Sequence, residues 1–238
     1  MKNNRFIVVV TQYNAEAYIQ KCLDSVMSQN YWQFNVVVID DCSTDRTLDV
    51  VAKYPVHLLK HEKRMCCGAL NMIDALSLIM INKEDIIVCV SGDDYLNDAS
   101  VLTYLNEVYQ DDKIWMTYGQ FVPLSGNYGA YCKPIPDIKT YRKSGLWVTS
   151  HLITFKKWLW DELDKEDLKY KGEFSHYSFD RSHMYPMLEM SGSQHVKFIE
   201  RILYIYNDMN PTCVYKIKPK ESIEEAEYFM NKVSKKAL

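Results

Sequence analysis

The chain has 238 residues, 47% apolar and 25% charged, which is enough for one sizeable core and unlike a disordered or fibrous sequence. Its formal net charge of −3 lacks the basic surplus that gripping a phosphate backbone requires, which argues against nucleic acid as a partner. The seven cysteines are odd in number and scattered, with no CxxC or Cys/His spacing, so neither a zinc site nor a secreted disulfide framework is indicated.

Phe6–Val10 is an unbroken apolar, β-branched run, as expected of a strand buried on both faces of a parallel sheet. It is too short for a signal-peptide core. The polar turn Thr11-Gln-Tyr-Asn14 follows, then a helix with Ile19, Leu23, Val26 and Met27 on one face. Phe34–Ile39 is a second buried strand that ends in Asp40-Asp41-Cys42-Ser43-Thr44-Asp45, where Thr44 or Asp45 can cap a helix through Val51. His57–Leu59 reads as a short third strand, Gly68–Met80 as a helix and Ile86–Val90 as a fourth buried strand. Beyond it the pattern loosens. Thr117–Val122 reads as a strand, Ser125–Pro136 as a turn-rich loop, and Trp147–Trp160 turns helical after Thr149-Ser-His151. Ser178–Ser191 contains a helix in which Pro186 requires a first-turn position or a kink, and Val196–Tyr206 holds one or two strands. From Glu221 a tail helix spaces Ile223, Ala226, Met230, Val233 and Ala237 by three and four, a stripe that packs on its own domain or forms a homodimer.

The expected organisation is one domain over residues 1–218 with a C-terminal helical extension over 219–238. No stretch approaches the roughly 20 apolar residues of a membrane span, so a soluble, cytoplasmic protein is expected. A composition rich in Lys, Asn and Tyr and poor in Gly hints at an AT-rich viral or microbial genome.

Strand, helix, strand, helix, strand is the signature of a parallel sheet with right-handed crossovers. The expected fold class is therefore α/β, a three-layer α/β/α sandwich with a mostly parallel central sheet. Such sheets bind ligands beyond the carboxyl ends of their strands, where three polar clusters fall: TQYN, DDCSTD and Ser91-Gly-Asp-Asp94. Adjacent carboxylates at a strand end repel unless a cation sits beside them, so Asp93 and Asp94 are either Mg²⁺ or Mn²⁺ ligands or a solvated acidic turn. Asp40 and Asp41 either accept hydrogen bonds from a ribose or base or cap the next helix. Arg64 either faces a diphosphate or lies free on the surface.

In order and spacing, Val8–Leu48, Arg64-MCCGAL-Asn71 and Ser91–Asp94 resemble the first half of family 2 glycosyltransferases of the GT-A fold. Phe179-Asp180, Glu189-Met-Ser-Gly192 and the "LYxY" ending of Val196–Asn207 resemble, more thinly, its second half. The resemblance implies a nucleotide-diphosphosugar donor, usually UDP-linked, a divalent metal, and transfer of a hexose or N-acetylhexosamine to a hydroxyl with inversion. By position Thr11, Tyr13 and Asp41 would hold uracil and ribose, and Arg64 would lie near the base or diphosphate. Asp93 and Asp94 would serve ribose and metal, and Asp180 would be the catalytic base. Asn14, Asp40 and Asn71 complete the expected donor-binding set.

Three departures stand out. Ser91 replaces a frequent first metal carboxylate, which makes Asp94 the expected direct ligand. Phe179 replaces an acidic residue before the base. Asn207 and Met209 replace a frequent Arg and His. Among the aromatics Tyr118, Phe121, Tyr128, Tyr131, Trp147, Trp158 and Trp160, which are either core or acceptor contacts, Trp147 is selected with His151 as an acceptor contact. His176 and His183 flank Asp180 and read as structural. The acceptor would be a glycan or a glycosylated protein. Two rivals remain: a catalytically inactive sugar-nucleotide-binding protein, and a sugar-phosphate nucleotidyltransferase, whose Gly-rich N-terminal loop is absent from TQYNAEAY. No GxxxxGK or GxGxxG suggests a kinase or dinucleotide enzyme.

Overall fold

The computed structural model describes residues 2–129 and 131–238. The first half alternates as expected: β1 (Phe6–Gln12), α1 (Ile19–Met27), β2 (Phe34–Asp40), α2 (Thr47–Val51), β3 (His57–Lys60), α3 (Gly68–Leu78) and β4 (Ile86–Ser91). The second half continues with β5 (Tyr95–Leu96), α4 (Val101–Val108), β6 (Met116–Pro123), α5 (Ile138–Tyr141), β7 (Ile153–Lys156) and α6 (Lys157–Asp161). It ends with the small hairpin β8 (Lys169–Tyr170) and β9 (Glu173–Phe174), then α7 (Phe179–Ser191), β10 (Val196–Tyr206), α8 (Val214–Ile217) and α9 (Pro219–Asn231).

Among the described residues the main sheet has eight strands in the order β3-β2-β1-β4-β7-β6-β10-β5. β1, β2, β3, β4, β6 and β10 run one way, while β7 and β5 oppose their neighbours. The strand runs are apolar without alternation because both faces are covered. Phe6, Val8, Val10, Val36 and Val88 pack under α1 and α4, whereas Ile7, Val9, Val37 and Ile87 pack under α3 and α7. Each fully buried aliphatic side chain contributes about 1.5–3 kcal/mol, so these two faces supply the bulk of the stabilisation. The result is a three-layer α/β fold with a mostly parallel sheet.

One expectation changes and two are narrowed. The segment expected to turn helical before Trp160 first forms β7, inserted antiparallel between β4 and β6, and only then the short helix α6. Pro186 lies in the interior of α7 rather than in its first turn. The tail helix buries Ser222, Glu225 and Phe229 against its own domain. Ile223 is 49% exposed, and the helix ends before Val233 and Ala237. No helix among the described residues is long and apolar enough to cross a membrane.

Candidate active site

The parallel register brings the polar clusters to one edge: Gln12 stands opposite Asp40, and Thr11 opposite Ser91. Backbone bonds continue across the loops, from Asp41 N to Gln12 O and from Gly92 N to Thr11 O, both 2.9 Å. Gly92 is required by this approach, since a β-carbon there would lie 2.5 Å from Gln12 Cβ and 3.4 Å from Thr11 O. We expect Gly92→Ala to cost about 1–3 kcal/mol through overpacking and to weaken donor binding by displacing Gln12. Thermal melts and nucleotide titration of the variant check this, and an unchanged melting temperature contradicts it.

Each strand-end residue has a distinct place. Asp40 is fully buried and accepts the Gln12 side-chain amide and, at 2.9 Å, the Ser43 N–H. It holds the loop from below and offers nothing to a ligand. Asp41 accepts Met65 N at 2.6 Å and Cys66 N at 2.8 Å, so its carboxylate fixes the segment that carries Arg64. His61 bridges Asp41 at 3.4 Å to Asp74 at 3.0 Å behind it. Asn14 adopts a left-handed backbone, φ 46°, which an Asn tolerates better than most residues. From there its N–H donates to Ser43 Oγ at 2.9 Å, and its Oδ1 accepts Thr44 N at 2.8 Å. Thr11 and Tyr13 are half-buried, and the exposed Arg64 guanidinium lies 3.5 Å above the Tyr13 ring. Asn71, on α3, is buried, and its Oδ1 has no protein partner among the described residues.

The adjacent carboxylates divide their labour. Asp94 is 1% exposed; its oxygens accept Tyr204 Oη and Asn207 N, each at 2.7 Å, from β10 and the residue after it. Burial, and secondarily the Asp93 charge, push its pKa up to about 8. Asp93 stands nearer the surface and accepts Asn210 Nδ2 at 2.7 Å. The expected direct metal ligand, Asp94, is thus turned into the protein, and Asp93 is the carboxylate presented outward. Among the described residues no group of three or more His, Cys, Asp or Glu side chains gathers as a metal cage. Asp93 still fits a cation shared with a diphosphate, because Mg²⁺ and Mn²⁺ accept one or two carboxylates plus phosphate oxygens. A cation there would also relieve the repulsion that raises Asp94.

Beyond this edge opens a cleft of about 790 Å³ that contains Asp180, Trp147 and His151, along with Tyr128, Tyr131 and Tyr206. Asp180, in the first turn of α7, is exposed and lines the cleft. Desolvation pushes its carboxyl up, against a smaller opposing pull from Arg181. Arg181 sits 4.4 Å over the Trp147 ring and donates to Tyr185 Oη at 2.9 Å. His151 stacks on Tyr204 at 4.6 Å, and burial lowers it to about 4, so its ring is neutral near pH 7. His183 is a core residue, bonded through Nδ1 to Phe179 O at 2.7 Å. α7 docks directly on the Arg64 segment. His176 Nδ1 donates to Cys66 O at 2.9 Å, and the Phe179 ring occupies the space a Gly68 β-carbon would need, 2.7 Å away.

Sequence reasoning missed Arg181, Tyr204, Asn210 and Glu225. Tyr204 lay within the recognised "LYxY" ending, which was the available signal. The tail residues Tyr215, Ile223 and Ala226 also line the cleft.

Residues 7–167 match the family model described as glycosyl transferase family 2. A 114-residue stretch is 32% identical to the poly(ribitol-phosphate) beta-N-acetylglucosaminyltransferase TarS of Staphylococcus aureus, covering 45% of this chain and 20% of that protein. An uncharacterized glycosyltransferase of Bacillus subtilis, EpsJ, is 21% identical over 92% of this chain and 65% of its own length. The matched stretch thus spans about a fifth of TarS. Among solved structures, S. aureus TarS 1–349 in complex with UDP-GlcNAc superposes with a TM-score of 0.70 at 19% identity, over 94% of this chain and 65% of that one. The mannosyltransferase PcManGT of Pyrobaculum calidifontis, in complex with GDP-Man and Mn²⁺, gives a TM-score of 0.69 at 18% identity, over 99% and 67%. Both likenesses bear on the fold.

Proposed function

The chain belongs to glycosyl transferase family 2, and from that membership we propose that it moves a hexose or N-acetylhexosamine from a UDP-sugar to a hydroxyl of a carbohydrate acceptor, with inversion. The observation that carries this reading is Asp180, a solvent-facing carboxylate of raised pKa in an aromatic cleft docked on the strand-end loops. A UDP-linked N-acetylhexosamine donor is favoured by the likeness to TarS. The acceptor class is a glycan or protein-linked sugar.

In this mechanism Tyr13 and Arg64, fixed by the Asp41 bonds to Met65 and Cys66, hold the nucleotide and its diphosphate. A Mn²⁺ or Mg²⁺ held by Asp93 and the diphosphate oxygens would neutralise the charge that develops on the leaving group. Asp180 accepts the proton of the acceptor hydroxyl as its oxygen attacks the anomeric carbon, a contribution of about 10²–10⁴ in rate. The aromatic walls stack on the apolar faces of the sugars and exclude competing water.

The test is thermal stabilisation of the protein by UDP-GlcNAc, UDP-glucose and GDP-mannose, with and without Mn²⁺, followed by transfer assays on the donor that binds. A true donor at about 100 times its Kd adds about 2.7 kcal/mol to stability. The proposal fails if no nucleotide sugar shifts the melting temperature. Binding without transfer or hydrolysis would instead favour a sugar-nucleotide-binding protein.

A further inference from the structure

The buried carboxylate of Glu225 has no role in the mechanism above. It is 2% exposed on α9 and lies among residues 175–178, the turn that leads into α7. It accepts four hydrogen bonds there: Ser175 Oγ at 2.7 Å, His176 N at 3.2 Å, Tyr177 N at 2.9 Å and Ser178 N at 3.0 Å. One more bond ties the same elements, from Ser178 Oγ to the Ser222 carbonyl at 2.8 Å. Three consecutive backbone N–H groups that α7 cannot satisfy are thus satisfied by one anion from the chain's last helix.

The place of this turn gives the arrangement its meaning. Ser178 is the residue before α7, and Asp180 follows two positions later. On its other side, His176 bonds the Cys66 carbonyl, whose own N–H is held by Asp41 at the end of β2. Asp180 is therefore located by two anchors, the donor-side segment and Glu225. Asp180 itself has few restraints of its own: among the described residues its Oδ1 accepts only the neighbouring Arg181 N–H, at 2.9 Å. Holding its position falls to the turn.

We propose that Glu225 is a positioning residue for the catalytic carboxylate Asp180, so that the C-terminal helix is a working part of the active site. The proposal rests on the reading of Asp180 as the base. Glu225→Gln keeps the shape of the side chain but turns an amide N–H₂ toward donors, so the turn loses acceptors and relaxes. A displacement of a reacting group by about 1 Å costs about 10²-fold, and a loss of about 10- to 10²-fold in kcat is expected. Donor contacts lie on other elements, so the KM for the UDP-sugar should stay within about twofold of wild type.

The test is a double-mutant cycle on the full chain, with kcat, donor KM and amide hydrogen exchange of residues 176–178 as readouts. In wild type these amides are protected; in Glu225→Gln they exchange faster and kcat falls. In the Asp180→Asn background, Glu225→Gln changes the residual rate by less than about twofold, since the group it positions no longer acts. Unchanged kcat in folded Glu225→Gln, or an equal loss in both backgrounds, overturns the proposal. Failure of the base reading is seen separately, as retained activity in Asp180→Asn alone. If Glu225→Gln does not fold, Ser175→Ala, which deletes the shortest of the four bonds, is read by the same two criteria.

Discussion

Asp180→Asn is expected to leave donor binding intact and to lower sugar transfer by about 10²–10⁴-fold, equivalent to roughly 3–5 kcal/mol in the barrier. Asn keeps the shape of the side chain and removes only its basicity. A purely structural role is the competing explanation, in which Asp180 serves as a helix cap that Asn would replace. The geometry disfavours it: Ser178 is the N-cap, and among the described residues the Asp180 carboxylate bonds only the adjacent Arg181 N–H. A pH profile gives a second, independent readout. A general base works in its charged form, and desolvation by the surrounding cleft raises the pKa of this one, so kcat/KM should fall as pH drops through a value above the usual Asp pKa of about 3.9. In Asp180→Asn that acidic limb should vanish. Transfer at more than about a tenth of the wild-type rate would place the base elsewhere.

The donor edge was legible because parallel strands buried on both faces leave unbroken apolar runs. Where Phe6–Val10, Phe34–Ile39 and Ile86–Val90 stop, the polar clusters must begin. Parallel pairing then sets these ends side by side without further information. What escaped depends on partners distant in the chain. Asp94 was the expected direct metal ligand, yet Tyr204 and Asn207, 110 and 113 residues later, enclose it. β7 was missed because its four residues carry no alternation of their own and are ordered by antiparallel neighbours on both sides. The tail helix shows the limit of periodicity most sharply. Its apolar stripe was expected to pack on its own domain or form a homodimer; Met230 does pack on the core, but Ile223 is exposed and the buried positions are Ser222, Glu225 and Phe229. A hydrophobic pattern cannot anticipate a buried carboxylate whose donors lie 47 to 50 residues upstream.

Arg142→Ala is expected to destabilise the fold by about 3–5 kcal/mol, a fall in Tm on the order of 10 °C for a domain of this size. Arg142 is 3% exposed and meets Glu189 of α7 as a bidentate pair, Nε to Oε1 at 2.7 Å and Nη2 to Oε2 at 2.6 Å. Its Nη1 donates to the Phe229 carbonyl at 3.0 Å, and Glu189 also accepts Lys235 N at 2.8 Å. The pair therefore fastens both α9 and the segment after it to α7. Truncation of Arg142 leaves the Glu189 charge buried with one backbone donor, and that uncompensated charge, rather than the lost attraction, sets the cost. Arg142→Met combined with Glu189→Leu removes both charges and fills the space, so it should recover most of the lost stability. A double-mutant cycle by thermal or denaturant melts separates these contributions. If Arg142→Ala melts within about 2 °C of wild type, the pair is not buried in solution, and the tail is held by its other contacts, Phe229 and Glu225 among them.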